Sequence, residues 1–349
     1  MYCKQCGAEL NADDRYCLKC GVAVASVTSD APILSDPITS TEAILLPRKK
    51  ALWIPFILII LLLLVLCGGV FCWYQLAQPK LGDTRINPKD GATMVYVPAG
   101  KFLMGSPTGV GDSDQQPQHV VFLDDYWIYK NVVTIAQYRA FCSETGHAMP
   151  HFPQPMTEND APSNYSWAKK TGWDDPTLQQ HPIVNVSWYD SKAYADWAGM
   201  ALPTEAQWEK AARGSDGRNF PWGGWATASD INNGWDQTKC ANRENSEKVG
   251  ISTWPVGSFP TGASVYGVLD MAGNVWQWCA DWDDPDYYAN SPSTNPPGPT
   301  IGIYRALRGG SWFNIDIKLN RSACRKYDNP NDCNLTIGGF RCVSSRPRP

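Results

Sequence analysis

No charged side chain interrupts the sequence between Ala51 and Gln78, and much of that stretch is Ile, Leu and Val. A helix of about 20 apolar residues crosses a bilayer. Residues 51–76 are therefore predicted to form a single transmembrane helix, and the rest of the chain must be read as two separate pieces. Trp53 lies near one end of the stretch and Trp73 with Tyr74 near the other, where amphipathic rings favour the membrane interface. A cleaved signal peptide would start at the N-terminus, and a buried core helix is rarely apolar on every face for this length. Arg48, Lys49 and Lys50 cluster before the span, whereas Lys80, Arg85 and Lys89 are spread beyond it. Clustered cations mark the cytoplasmic side. The expectation is a single-pass membrane protein with its N-terminus in the cytoplasm and its C-terminal domain extracytoplasmic. Cys67 and Cys72 fall at the outer end of the span, where lipid-facing, inert and acylated cysteines are the alternatives.

Before the span, Cys3-Lys4-Gln5-Cys6 and Cys17-Leu18-Lys19-Cys20 are two C-x-x-C knuckles, each followed by Gly. Thiolates at this spacing suit one tetrahedral zinc ion. Residues 1–23 cannot bury a useful core, so the metal would supply the folding free energy of such a ribbon. Two disulfides are the competing reading, and a redox C-x-x-C would want a surrounding βαβ pattern. Thiolates prefer a reducing compartment, in agreement with a cytoplasmic N-terminus. A site closed by Cys3, Cys6, Cys17 and Cys20 has no open position for catalysis. The ribbon is expected to be structural or to dock an unknown protein partner, and it looks like the short zinc ribbons that open many bacterial membrane proteins. Residues 24–50 contain a Ser-, Thr- and Pro-rich stretch and read as a flexible linker.

Beyond the span, residues 77–91 read as a second linker and residues 92–349 as a globular domain. The chain holds 16 Trp, 29 Gly and 27 Pro, which suits packed loops and short elements anchored by indoles. A net charge of −4 shows no general nucleic-acid footprint, so none is expected as a partner. Thr93–Val97 is strand-like, and Lys101–Gly105 is expected to return as the second strand of a hairpin. Helices are announced by caps at Thr134, Ser187 and Thr204. Gln137, Asp190 and Gln207 stand at the reciprocal positions, and Gly146, Gly199 and Gly214 at the stops. In the middle helix Tyr189, Ala193 and Trp197 recur at i, i+4 and are predicted to pack in the core. After Gly214, glycine-rich turns prevail; their carbonyls are candidates for holding calcium.

Several blocks follow one another in a specific order. They include Val97-Pro98-Ala99-Gly100, Leu202-Pro203-Thr204-Glu205-Ala206-Gln207-Trp208-Glu209 and Gly273-Asn274-Val275-Trp276-Gln277-Trp278. Arg308-Gly309-Gly310-Ser311-Trp312 and Gly339-Phe340-Arg341-Cys342 close the series. Over roughly residues 93–345 the chain resembles the formylglycine-generating enzyme (sulfatase-modifying factor) family. The resemblance implies an α+β, C-type-lectin-like fold with much irregular structure. Catalytic members carry a Cys three residues after the Ser of the Arg-Gly-Gly-Ser block and another five residues on. Those thiolates bind copper, which activates oxygen to oxidise a peptide cysteine to formylglycine; soft sulfur suits monovalent copper. Here the two positions are Asn314 and Leu319, so copper is not expected. A displaced pair, Cys324 with Cys333, competes with a disulfide or free thiols. Trp276 and Ser311 match residues lining the family's oxygen pocket. Asp270, Gly273, Val275 and Gln277 match a calcium site, with Gln277 where the family usually has Glu, which removes a charge. Asn242, with Arg243, matches the start of a second calcium site whose later ligands do not align around Lys248 and Gly250. Cys342 matches a disulfide cysteine whose partner position is Ala195.

His147 and His151 have H-x-x-x-H spacing. Iron-dependent sulfoxide synthases that share this domain use a His-rich motif in a separate helical domain. Here the intervening Ala148-Met149-Pro150 is not helix-like, and Pro153 stands where a carboxylate would be wanted, so a surface loop is the expectation. Asp281, Asp283, Asp284 and Asp286 form an acidic run beside Trp282 that reads as a solvated loop, with a cation or sugar as the competing reading. No phosphate loop or nucleophile elbow occurs. Fold alone does not fix function. The expectation is a non-catalytic recognition or scaffold domain for a protein or glycan outside the cytoplasm, tethered to the ribbon. The alternative is an oxidoreductase related to formylglycine-generating enzymes that uses other ligands.

Overall fold

The structure is a computed structural model describing residues 78–153, 172–249, 253–333 and 336–345. The expected zinc ribbon, first linker and transmembrane helix lie outside these residues. Among the described residues no helix is long and apolar enough to cross a membrane.

In chain order the strands and helices begin with β1 (Thr84–Ile86), β2 (Thr93–Val97), β3 (Gly100–Met104), β4 (His119–Leu123) and β5 (Tyr126–Tyr129). Helices α1 (Ile135–Thr145), α2 (Trp188–Trp197), α3 (Glu205–Arg213) and α4 (Arg243–Val249) follow. The last part holds β6 (Trp276–Trp282), α5 (Tyr287–Asn290), β7 (Arg305–Arg308), β8 (Arg325–Asp328), β9 (Gly338–Gly339) and β10 (Val343–Ser345). Among the described residues the strands pair as β1-β2-β5-β10, β3-β4 and β8-β7-β6-β9, which is the mixed α+β architecture with much irregular structure.

Side chains alternate across a strand, and this alternation divides the domain into two cores. From β2, Met94 and Tyr96 enter one apolar cluster while Val95 and Val97 enter the other. From β5, Trp127 and Tyr129 join the first and Tyr126 and Ile128 the second. The first core is filled by α1 and α2 through Tyr138, Phe141, Trp188 and Tyr194. The second is filled by α3 and the β3-β4 ribbon through Trp208, Ala211, Phe102 and Val121.

Two expectations are corrected. Residues 77–91 are not wholly linker, because β1 pairs antiparallel with β2 from Thr84 opposite Val95 to Ile86 opposite Thr93. Nor do β2 and β3 form a hairpin: β2 has β1 and β5 as its neighbours, and β3 pairs with β4. β2 is an internal strand of its sheet, so both of its edges are already paired and none is open to β3.

The three expected helices occur with their caps. Thr134 Oγ1 accepts from Gln137 N at 3.3 Å while Thr134 N donates to Gln137 Oε1 at 3.0 Å. Ser187 with Asp190 and Thr204 with Gln207 repeat this reciprocal arrangement. The inward face of α2 differs from the expectation: Trp188, Ser191, Tyr194 and Ala195 are buried, whereas Tyr189 is 49 % exposed and Trp197 only packs against the core from its edge. Replacing Thr134 by Ala should lower the unfolding free energy by about 1 kcal/mol, read as a shifted urea midpoint; an unmoved midpoint would show that α1 does not need its cap.

Candidate functional site

The corner that corresponds to the family's oxidation site is built from β6 and β7. Their register sets Gln277 opposite Arg308. Beyond Arg308 the chain turns through Gly309 (φ +99) and Gly310 (φ +74), where a Cβ would meet Trp208 Cζ2 at 2.9 Å and Asn320 Oδ1 at 2.2 Å. Only glycine fits both the left-handed backbone and that close approach. Trp312 N then donates to Asn274 O at 2.9 Å, tying the turn to the residues preceding β6. Trp276 and Ser311 are both buried in this corner, and among the described residues the Trp276 indole N–H finds no acceptor.

The side chains standing at the thiolate positions serve the protein. Asn314 Oδ1 accepts from Ser311 N at 2.6 Å and from Ser311 Oγ at 3.0 Å, closing the turn on itself. Leu319 packs against the first core. Cys324 is buried, its Sγ is 3.7 Å from Arg325 O, and burial pushes its thiol up to about 12. Cys333 is half-buried. Among the described residues Cys142, Cys240, Cys279, Cys324, Cys333 and Cys342 are all outside disulfides. Asn314 and Leu319 themselves offer no sulfur to a copper ion.

Of the four residues matched to a calcium site, Asp270 and Gln277 meet on the approach to β6, and their polar groups are engaged within the protein. Gln277 Oε1 accepts from Trp208 Nε1 at 2.8 Å and from Arg341 Nε at 2.7 Å, so its oxygen is fully used. Gln277 Nε2 donates to Asp270 O at 2.6 Å, making with an amide proton the contact that a cation would make with that carbonyl. Asp270 Oδ2 accepts from Gly257 N at 2.9 Å, and burial raises its pKa. Asn242 Oδ1 accepts from Asn245 N at 3.1 Å and so caps the start of α4, while its amide donates to Gln237 O and Cys240 O.

Other candidates are dispersed. His147 Nε2 lies 2.9 Å from Asp190 Oδ1, and His151 is exposed and contributes its carbonyl to Asn185 Nδ2. The acidic run is not one solvated loop. Asp281 lies within β6, is buried, and accepts from Glu205 N at 2.9 Å; burial and then the Glu205 carboxylate raise its pKa well above the usual range. Asp283 sits 3.5 Å from Arg325, and burial pushes it up to about 6. Asp284 accepts from Asp286 N.

What the sequence did not disclose is a frame of buried charge. Glu209 accepts from Gly105 N at 2.7 Å, from Arg213 Nη1 at 2.7 Å and from Arg308 Nη2. Glu205 pairs with Arg325 at 3.0 Å. Arg341 donates through Nη1 to Tyr129 O at 2.9 Å and through Nη2 to Leu269 O at 2.7 Å. The one signal available was that Glu205, Glu209, Arg308 and Arg341 stand inside the blocks that carry the family resemblance.

Residues 81–346 match the model of the sulfatase-modifying factor enzyme 1-like domain. The chain belongs to the sulfatase-modifying factor family. It is similar to the formylglycine-generating enzyme of Streptomyces coelicolor, at 36 % identity over 74 % of this chain and 90 % of that one. A second relative is the serine/threonine-protein kinase pkn1 of Chlamydia caviae, at 36 % identity over 72 % of this chain but only 37 % of the kinase. Among solved structures, PvdO from Pseudomonas aeruginosa superposes with a TM-score of 0.61 at 27 % identity, covering 76 % of this chain and 99 % of PvdO. The family blocks of this chain thus coincide with its frame: Thr204 and Gln207 cap α3, Glu205 and Glu209 bind guanidinium groups, and Trp208 meets Gln277.

Burial raises the Glu209 pKa, but Arg308, Arg213 and the Gly105 N–H together hold it below the ordinary value. A depressed carboxylate contributes stability that is present above its unfolded value and lost as pH falls through the folded one. Unfolding free energy should therefore drop as the medium is acidified below about pH 4, and Glu209→Gln should cost about 3–5 kcal/mol at neutral pH, measured by urea denaturation. A variant as stable as wild type would refute this role. Calcium chelation should leave the melting temperature of the wild type unchanged. Gln277→Glu should melt lower in chelator and recover on adding calcium, because a carboxylate oxygen would face the Asp270 carbonyl; equal melting in both media would contradict the assignment.

Proposed function

We propose that the chain is a membrane-anchored protein whose sulfatase-modifying-factor domain lies outside the cytoplasm and acts as a non-catalytic recognition or scaffold domain for a protein or glycan. The observation that carries this reading is the fate of the thiolate positions. Asn314 spends its amide oxygen on Ser311, and the partly buried Leu319 packs against the first core. The family frame persists around them without the metal chemistry. The match to part of the Chlamydia kinase supports a module that is joined to different machinery in different proteins. The uncharged stretch 51–76 supports the anchor, and Cys3, Cys6, Cys17 and Cys20 support a cytoplasmic zinc ribbon that docks a partner.

The oxidase alternative needs two thiolates converging near Trp276, and Asn314 and Leu319 supply neither. The intact chain, solubilised from membranes, should bind no copper through its C-terminal cysteines and take up no oxygen with a Cys-containing peptide. Stoichiometric binding lost on Cys324→Ser, together with oxygen uptake, would restore the enzyme reading.

A further inference from the structure

A second corner of the domain carries a charge imbalance of its own. Arg321 is 1 % exposed, yet its hydrogen bonds all go to neutral acceptors: Asn219 Oδ1 at 2.7 Å, Ser106 Oγ at 2.9 Å and Gln115 Oε1 at 3.2 Å. Among the described residues no carboxylate lies within ion-pair distance of it. The nearest carboxylates are otherwise engaged, since Glu209 already serves Arg213 and Arg308, and Asp112 accepts from Gln115 Nε2. Glu209 thus serves two guanidinium groups, and Arg321 is left with neutral partners. A buried charge without a partner is costly, and burial above all, with the like charge of Arg213 adding to it, lowers the pKa of Arg321.

Arg321 and Arg213 line a cavity of about 170 Å³ together with Asn219, Gln118, Leu103 and Trp225. Asp216 also lies on the wall, but it is engaged by Arg218 at 2.7 Å and 3.0 Å. Two of the N–H groups of Arg321 have no acceptor among the described residues. Trp225, 60 % exposed, offers an apolar face at the edge of the cavity. Guanidinium groups favour planar or tetrahedral oxyanions, and an indole face favours a compact body carrying one.

We propose that this cavity is an oxyanion subsite. Its ligand is a phosphate, sulfate or carboxylate group borne on a small body that packs against Trp225. The assignment deepens the recognition reading above, and its test is independent of copper or oxygen chemistry, so either can fail alone.

The intact chain in detergent would be melted against sodium phosphate, sodium sulfate and sodium glucuronate, each replacing sodium chloride at constant ionic strength. At least one oxyanion should raise the melting temperature saturably above chloride, as ligand linkage requires. Arg321→Gln should weaken that binding about tenfold or more. Because Arg321 is buried, a rim variant, Ala226→Glu, provides a second arm: its added carboxylate should suppress the response while leaving the fold intact. Trp225→Ala should spare phosphate and sulfate but weaken glucuronate if the ligand is organic, whereas equal responses would point to a free inorganic ion. A flat response to all three oxyanions, or a full wild-type titration in both Arg321→Gln and Ala226→Glu, would overturn the proposal.

Discussion

Glu209 is fully buried, and four parts of the chain close on its carboxylate: the end of β3 through Gly105, the last turn of α3 through Arg213, α5 through Tyr288, and β7 through Arg308. Removing such charges from water costs several kcal/mol per ion, and only good geometry with further hydrogen bonds offsets it. The geometry here is supplied by backbone as well as side chains, so the group specifies position more than it adds stability. It fixes α3 against the second core, and α3 in turn brings Trp208 to Gln277 and Glu205 to Arg325. Gln277 then joins Arg341, whose guanidinium collects carbonyls from the segment after β5 and from the approach to β6. Loops that carry little regular structure are held in register by this chain of charge-assisted bonds.

The same connections explain how a sequence resemblance can be strong while individual side chains at the matched positions differ. The blocks that mark the family in this chain are those that build the frame, and a frame survives exchange of the side chains it presents. Asn314 shows the exchange directly. An amide at that position finds a local partner in Ser311 and stabilises the turn, a use for which a thiolate has no donor or acceptor of comparable strength. Gln277 behaves likewise, since its amide proton supplies to a carbonyl what a divalent ion would otherwise supply.

The local part of the fold was legible in the sequence. Thr134, Ser187 and Thr204 announced their helices because a cap is satisfied by residues three positions away. Pairing was not legible: β2 and β3 looked like a hairpin because they are adjacent and alternate, and nothing local shows that both edges of β2 are taken by β1 and β5. Asp281 was read as solvated because acidic residues surround it, whereas its place on β6 turns it inward to Glu205 N. The contacts of Glu205 with Arg325 and of Glu209 with Arg308 were invisible because those partners lie about a hundred residues or more away, whereas Arg213 stands on the same helix as Glu209. At the candidate site, the absence of sulfur at Asn314 and Leu319 could be read from one line of sequence, but what replaced it could not.

The central sheet is completed by β10, which pairs with β5 from Val343 opposite Ile128 to Ser345 opposite Tyr126. A strand from the end of the domain thus closes a sheet begun at its start. During synthesis β5 must wait with an open edge until nearly the whole domain has emerged. Non-local pairing of this kind slows folding, and an unpaired edge invites partners of its own. A chain cut short before Val343 would keep both cores nearly filled while leaving the partition between them unsealed.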